Sequence, residues 1–95
     1  MFGMCAGVDT NRNFATSGFG RVGASSNGCS QVFAGREPFS EPESQAVREA
    51  ITRIGSSLIS YVCVHAYSQL WMYPYGYTNR AAQDESDLVS KNYIF

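Results

Sequence analysis

The chain has 95 residues, enough for one small domain or for part of a larger one. Charged residues make up only 16% and hydrophobic residues 44%, which excludes a disordered, charge-rich tail. The net charge of −1 provides no basic surface for nucleic acid, and no run of 18 apolar residues predicts a membrane span.

The first third of the chain is predicted to be mostly irregular. Met4–Val8 is short and apolar, as at the end of a buried strand, and the polar run Asp9–Asn13 predicts a loop after it. Ser17–Ser30 contains four glycines and predicts a long surface loop. Cys5 and Cys29 bracket that loop. A disulfide between them would raise the free energy of unfolding by on the order of 3 kcal/mol, although spacing alone does not decide the pairing.

A helix is predicted to begin after Ser40. Ser40 is the expected N-cap, with Glu43 completing a capping box and Pro42 in the first turn. Gly55 is placed to end the helix. One apolar stripe at helical spacing supports this interpretation: Ala46, Val47, Ala50, Ile51 and Ile54.

The second half predicts strands and another helix. Leu58–His65 is rich in β-branched residues and predicts a buried strand, and Leu70–Tyr73 predicts a shorter one. A helix followed by a buried strand is typical of an α/β sheet flanked by helices. Asp84–Asp87 is the expected start of a second helix. The chain stops at Asn92–Phe95 without a C-cap, so we expect a piece cut from a longer protein.

His65 is the only histidine and follows the predicted strand, where ligand sites of open α/β sheets lie. It is a candidate metal ligand or general base, but the residue taken alone favours the simpler interpretation, a hydrogen-bonded, partly buried histidine. Cys63, inside the same strand, is expected to be a buried, inert thiol. The nearby aromatic residues are expected to form core packing or a substrate subsite: Tyr67, Trp71, Tyr73, Tyr75 and Tyr77.

The run Asn11-Arg12-Asn13 contains a second candidate site. A guanidinium can hold a carboxylate through two parallel N–H bonds, and an asparagine amide adds a donor. Composition alone favours the simpler interpretation, a solvated loop.

Five motifs taken together resemble the zinc metallocarboxypeptidases of the pancreatic A/B type. Each motif alone is weak, but all five occur in the family's order and spacing between Cys5 and Tyr77. They are Gly7–Phe14, Gly23–Asn27, Phe39–Glu43, His65–Leu70 and Tyr73–Tyr77. The resemblance implies that residues 1–95 are part of a catalytic domain with a mixed central sheet flanked by helices, with residues 78–95 less securely placed.

The resemblance also implies roles for individual residues. His65 resembles the third zinc ligand, and Asn11 and Arg12 resemble the pair that grips the free C-terminal carboxylate of a peptide substrate. Tyr67 resembles a substrate-subsite residue, and Cys5 and Cys29 the family's disulfide. Cis peptide bonds are implied at Ala66–Tyr67 and Pro74–Tyr75. The implied activity is release of the C-terminal amino acid, in a secreted protein.

The sequence departs from the family in ways that affect catalysis. It has no His-x-x-Glu zinc motif, no oxyanion-stabilising arginine at the family's place and no late catalytic glutamate, so the isolated chain is expected to be inactive. Ala66 stands in place of a serine, and Gly28 in place of a proline. Two other interpretations are a protein that binds peptide C-termini without hydrolysis and a non-functional remnant.

Overall fold

The computed structural model describes Cys5 and residues 7–91, and the chain divides into two units, Met1–Tyr61 and Val62–Phe95. The described part of the first unit contains helix α1, Pro42–Ile54, and that of the second contains helix α2, Glu85–Lys91. Neither helix is long and apolar enough to cross a bilayer.

Helix α1 begins one residue later than the capping pattern predicts. Glu41 is the N-cap and makes no side-chain capping bond, and Pro42 occupies the first turn. Ser40 is not the N-cap, and its hydroxyl makes other bonds: it accepts from Asn13 Nδ2 at 2.8 Å and donates to Glu41 Oε1 at 2.9 Å. The Glu41 N–H instead donates to Asn13 Oδ1 at 3.1 Å, so a distant residue supplies the cap.

The end of α1 agrees with the prediction. Gly55 has a φ of +57°, and its N–H donates to the Ile51 carbonyl. A short 3-10 turn, Gly55–Ser57, follows. The apolar stripe is only partly covered, since Ile54 is 48% exposed, and the one buried residue of the helix is Ser44.

The glycine-rich loop is irregular, as predicted, and is held at three places. A disulfide joins Cys5 to Cys29, with 4.7 Å between their Cα atoms, which confirms the pairing that the family resemblance implies. An isolated bridge pairs Ser25 with Phe33. The Phe33 carbonyl also accepts from the Asp9 N–H at 2.8 Å, which fixes the loop to the residues before Thr10.

The predicted strands do not form among the described residues. Leu58–His65 forms no strand, and its residues are exposed, with Val64 at 95%. Leu70–Tyr73 forms no strand either, and neither do the described residues of Met4–Val8; Met4 and Ala6 lie outside the described residues. A β-ladder satisfies its N–H and C=O groups only through an adjacent strand, which a local hydrophobic pattern cannot reveal. The prediction that Cys63 is buried is wrong for the same reason, because its thiol is free and exposed.

The second unit matches two finer expectations. Both Ala66–Tyr67 and Pro74–Tyr75 are cis peptide bonds, as the family resemblance implies. The acidic run at Asp84 does precede α2, and the carbonyl of Asp84 accepts from the N–H groups of Asp87 and Leu88.

Candidate functional site

Asn11 and Arg12 lie on one tight turn of the first unit. Thr10–Arg12 is a single turn of 3-10 helix with Asp9 as its N-cap. Asp9 Oδ1 accepts from the Asn11 N–H at 3.1 Å, and Asp9 Oδ2 lies 3.5 Å from Arg12 Nε. One carboxylate therefore fixes the backbone of Asn11 and orients the guanidinium of Arg12.

The same turn forms one wall of a small cavity of about 120 Å³. Asn11 and Arg12 supply its polar side, and the remainder is mostly apolar: Phe14, Thr16, Gly18, Phe19, Val22 and Ala24. The Arg12 side chain is 39% exposed, so the guanidinium is accessible to a ligand. A partly apolar cavity with a cation on its rim is suited to an anionic group attached to an apolar body.

Asn13 does not take part in this cavity, although its sequence position suggested a further donor. It is completely buried, and its side-chain amide is used within the protein. The solvated-loop interpretation is therefore wrong for this residue.

His65 and Tyr67 belong to the second unit. Both are exposed, Tyr67 to 95%; Tyr67 follows the cis bond to Ala66, and His65 is the residue before Ala66. The structure thus brings Asn11 and Arg12 together on one turn and joins Cys5 to Cys29, while the zinc-ligand role of His65 and the subsite role of Tyr67 remain predictions.

Comparison with known proteins identifies the family. The profile of the zinc carboxypeptidases matches residues 2–94. The chain belongs to the zinc carboxypeptidase family. The resemblance carried by the five sequence motifs is therefore confirmed.

Individual carboxypeptidases are similar over most of the chain. Carboxypeptidase A1 of Rattus norvegicus is 45% identical over 85 residues, which cover 90% of this chain and 20% of the rat protein. Carboxypeptidase B of Astacus astacus is also 45% identical, over 88% of this chain and 27% of its own length. The chain therefore spans about a fifth to a quarter of the curated relatives that it matches.

Solved structures of similar proteins superpose on most of this chain. A structure of thrombin-activatable fibrinolysis inhibitor superposes with a TM-score of 0.84 at 37% identity, over 97% of this chain and 25% of that one. The bovine protein in complex with tick carboxypeptidase inhibitor superposes with a TM-score of 0.81 at 38% identity, over 87% of this chain and 28% of that one. These neighbours have carboxypeptidase-type α/β folds, whereas the described residues here form two helices and no strand.

The donors of this chain do not by themselves fit a zinc ion. Within the described residues no three His, Cys, Asp or Glu side chains cluster, and the sequence holds one histidine. A catalytic zinc site needs three protein ligands, so His65 alone cannot bind the ion firmly.

Sequence reasoning missed the role of Asp9, although a local signal was present. An aspartate side chain that accepts from the N–H two residues later is a common turn motif. Here Arg12, three residues after Asp9, completes the arrangement. The role of Asn13 had no local signal, because its side-chain partners lie 21 to 31 residues away in the sequence.

A second cavity, of about 220 Å³, lies within the second unit beside Tyr73, Arg80 and Glu85. The Tyr73 hydroxyl donates to Glu85 Oε1 at 3.3 Å. Partial desolvation raises the pKa of Tyr73 above its ordinary value of 10.0, and the negative charge of Glu85 and this hydrogen bond raise it further.

Glu85→Gln is expected to lower the pKa of Tyr73, because the negative charge that opposes phenolate formation is removed. In the wild-type chain the contribution of this pair to stability is present below the ordinary tyrosine pKa and is lost as pH rises through the raised one. A titration of ¹³Cζ-labelled tyrosine by NMR, with Tyr73→Phe for assignment, measures the shift. The signals of the other tyrosines are the internal control, and an unchanged Tyr73 titration would show that Glu85 does not act on it.

Proposed function

We propose that the turn bearing Asn11 and Arg12 binds the free C-terminal carboxylate of a peptide, as part of a protein that releases C-terminal amino acids. The observation that carries this proposal is that both residues line the same cavity. Family membership supplies the reaction class, and the cavity supplies a place for the end of a peptide chain.

The geometry of Arg12 supports recognition of a carboxylate over an amide. Asp9 lies against Nε, on one edge of the planar guanidinium. The two Nη groups form the end of the guanidinium, and their N–H groups make a fork that matches two carboxylate oxygens. A C-terminal amide has one oxygen and a donor in place of the second, so it cannot accept both N–H bonds.

The proposal assigns the remaining residues as the family resemblance implies. His65 would provide one ligand to zinc, which in this family polarises the scissile carbonyl and a water, and Tyr67 would contact the substrate. The 95-residue chain holds no His-x-x-Glu motif, so we propose that by itself it binds peptide ends without hydrolysing them. The Cys5–Cys29 disulfide supports an extracellular location.

The test is a calorimetric titration of the 95-residue chain with two peptides that differ only in a free or an amidated C-terminus. We expect the free acid to bind more tightly by about tenfold, since the bidentate pair is a charge-assisted interaction. Arg12→Ala is expected to abolish this preference. Arg36→Ala, which removes an exposed arginine that does not line the cavity, is the matched control and should retain it.

Two results would contradict the proposal. Equal affinity for both peptides would exclude a carboxylate clamp, and an equal loss of affinity in both arginine variants would indicate non-specific attraction. A separate assay for amino acid release tests the inactivity of the chain, which release dependent on added zinc would disprove.

A further inference from the structure

Asn13 is the most fully bonded polar side chain in the described part of the first unit. It has no exposed surface. Its Nδ2 donates to the carbonyl oxygen of Ala34 at 2.7 Å and to the hydroxyl of Ser40 at 2.8 Å, with a longer contact of 3.3 Å to the Glu37 carbonyl. Its Oδ1 accepts from the Glu41 N–H at 3.1 Å and from the buried Ser44 hydroxyl.

These partners allow only one orientation of the amide. The Ala34 carbonyl can only accept and the Glu41 N–H can only donate, so Nδ2 must face the first and Oδ1 the second. The amide therefore links the segment before α1 to the first turn of α1, and it satisfies one of the helix's unpaired N–H groups.

The backbone of Asn13 connects this network to the turn that bears Arg12. Its N–H donates to the Thr10 carbonyl at 3.1 Å and closes the 3-10 turn, and its carbonyl accepts from the Phe39 N–H at 2.7 Å. On the other side of Arg12, its N–H donates to the Asp9 carbonyl at 2.8 Å, and its side chain makes a looser 3.5 Å contact to the Asp9 carboxylate. Asp9 therefore holds the turn from one side, and Asn13 connects its other side to the residues before α1.

We propose that Asn13 is a positioning residue for the carboxylate clamp, holding the Asn11–Arg12 turn against the start of α1 at the angle that peptide binding requires. This inference rests on the proposed function of Asn11 and Arg12. Asn13 itself touches no substrate; it acts through the backbone of its neighbour.

Asn13→Asp tests the inference with almost no change in shape. An ionised aspartate places a negative oxygen where Nδ2 donates to Ala34 and Ser40, and the resulting repulsion should displace the turn. We expect the affinity for the free-acid peptide to fall by about tenfold near pH 8. Near pH 5.5 a protonated aspartate can again donate to Ala34, and most of the affinity should return. The wild-type affinity should change less than about threefold between the two conditions.

The groups around this position favour protonation of the introduced carboxyl. Burial among carbonyl oxygens disfavours its charged form. The Glu41 carboxylate accepts from the Ser40 hydroxyl, and Glu37 lies on the same segment, so the acidic neighbours act in the same direction. The Asp9–Arg12 pair precedes Asn13 in the chain and carries no net charge.

A merely structural role would move the thermal midpoint without making the affinity of the folded chain depend on pH.

Ser44→Ala provides a second test if the aspartate variant does not fold. It removes one bond to Asn13 Oδ1 and leaves the Glu41 N–H in place, so we expect affinity to fall by about threefold, with the exposed Ser86→Ala as its control. A wild-type chain that does not prefer the free acid contradicts the proposed function and this inference together. The inference alone is contradicted if the wild-type chain prefers the free acid but a variant keeps the wild-type affinity. That variant is either folded Asn13→Asp at both pH values or Ser44→Ala.

Discussion

Replacing Gly35 by alanine is expected to lower the free energy of unfolding by about 3 kcal/mol, from backbone strain and broken hydrogen bonds together. Gly35 has a φ of +92°, which residues with a side chain rarely adopt. A Cβ added there would lie 2.5 Å from Ser40 Oγ and 2.6 Å from Asn13 Nδ2. The methyl group would therefore separate the two partners whose bond organises the start of α1.

Urea unfolding followed by circular dichroism measures this loss. Gly23→Ala is the matched control: Gly23 has a φ of +64° but nothing within 4 Å of an added Cβ, so it carries the backbone strain without the collision. We expect Gly23→Ala to lower the free energy of unfolding by about 1 kcal/mol. Equal losses of unfolding free energy in the two variants would mean that the collision of the added Cβ with Ser40 and Asn13 costs nothing.

Removing the Cys5–Cys29 disulfide is expected to lower the free energy of unfolding by about 3 kcal/mol. The bond closes a loop with a sequence separation of 24, and cutting it restores conformational freedom to the unfolded chain. It also releases Cys5 from the glycine-rich loop that lines part of the Arg12 cavity. Cys5→Ser together with Cys29→Ser should therefore weaken peptide binding as well as stability.

Cys63→Ser is the control for the disulfide prediction, because that thiol is free and exposed. Thermal unfolding of the three proteins at one concentration gives the comparison. The prediction fails if the double variant and Cys63→Ser melt at the same temperature.

Local sequence signals were sufficient for the helices. The body of α1, its proline in the first turn and its end at Gly55 follow from spacing and backbone preference, and the acidic run marks the start of α2. The N-cap was placed wrongly because Ser40 is engaged by Asn13, which is 27 residues away in the sequence. Capping rules consider neighbours in the chain and cannot register such competition.

The strand at Leu58–His65 shows the opposite case. Its β-branched composition is a local property, but a strand exists only when another segment pairs with it. The described residues supply no such segment, and the apolar side chains there are exposed. The error was to infer a buried, paired element from composition alone.

The candidate site was predictable in part. The motif containing Asn11 and Arg12 predicted the two residues of the proposed clamp, and both residues line one cavity. The supports behind them are long-range contacts: Asn13 to Ala34, Ser40 and Ser44. Those depend on how the chain folds back on itself, which no motif within a single stretch encodes.

The most direct test of the clamp is an NMR titration of the ¹⁵N-labelled chain with the free-acid peptide and its amide. The free acid should shift the Asn11 backbone amide and the Arg12 Nε–H signals before others, and the amide should leave both in place at the same concentration. Shifts of these two signals with both peptides, or with neither, would contradict a carboxylate site at this turn.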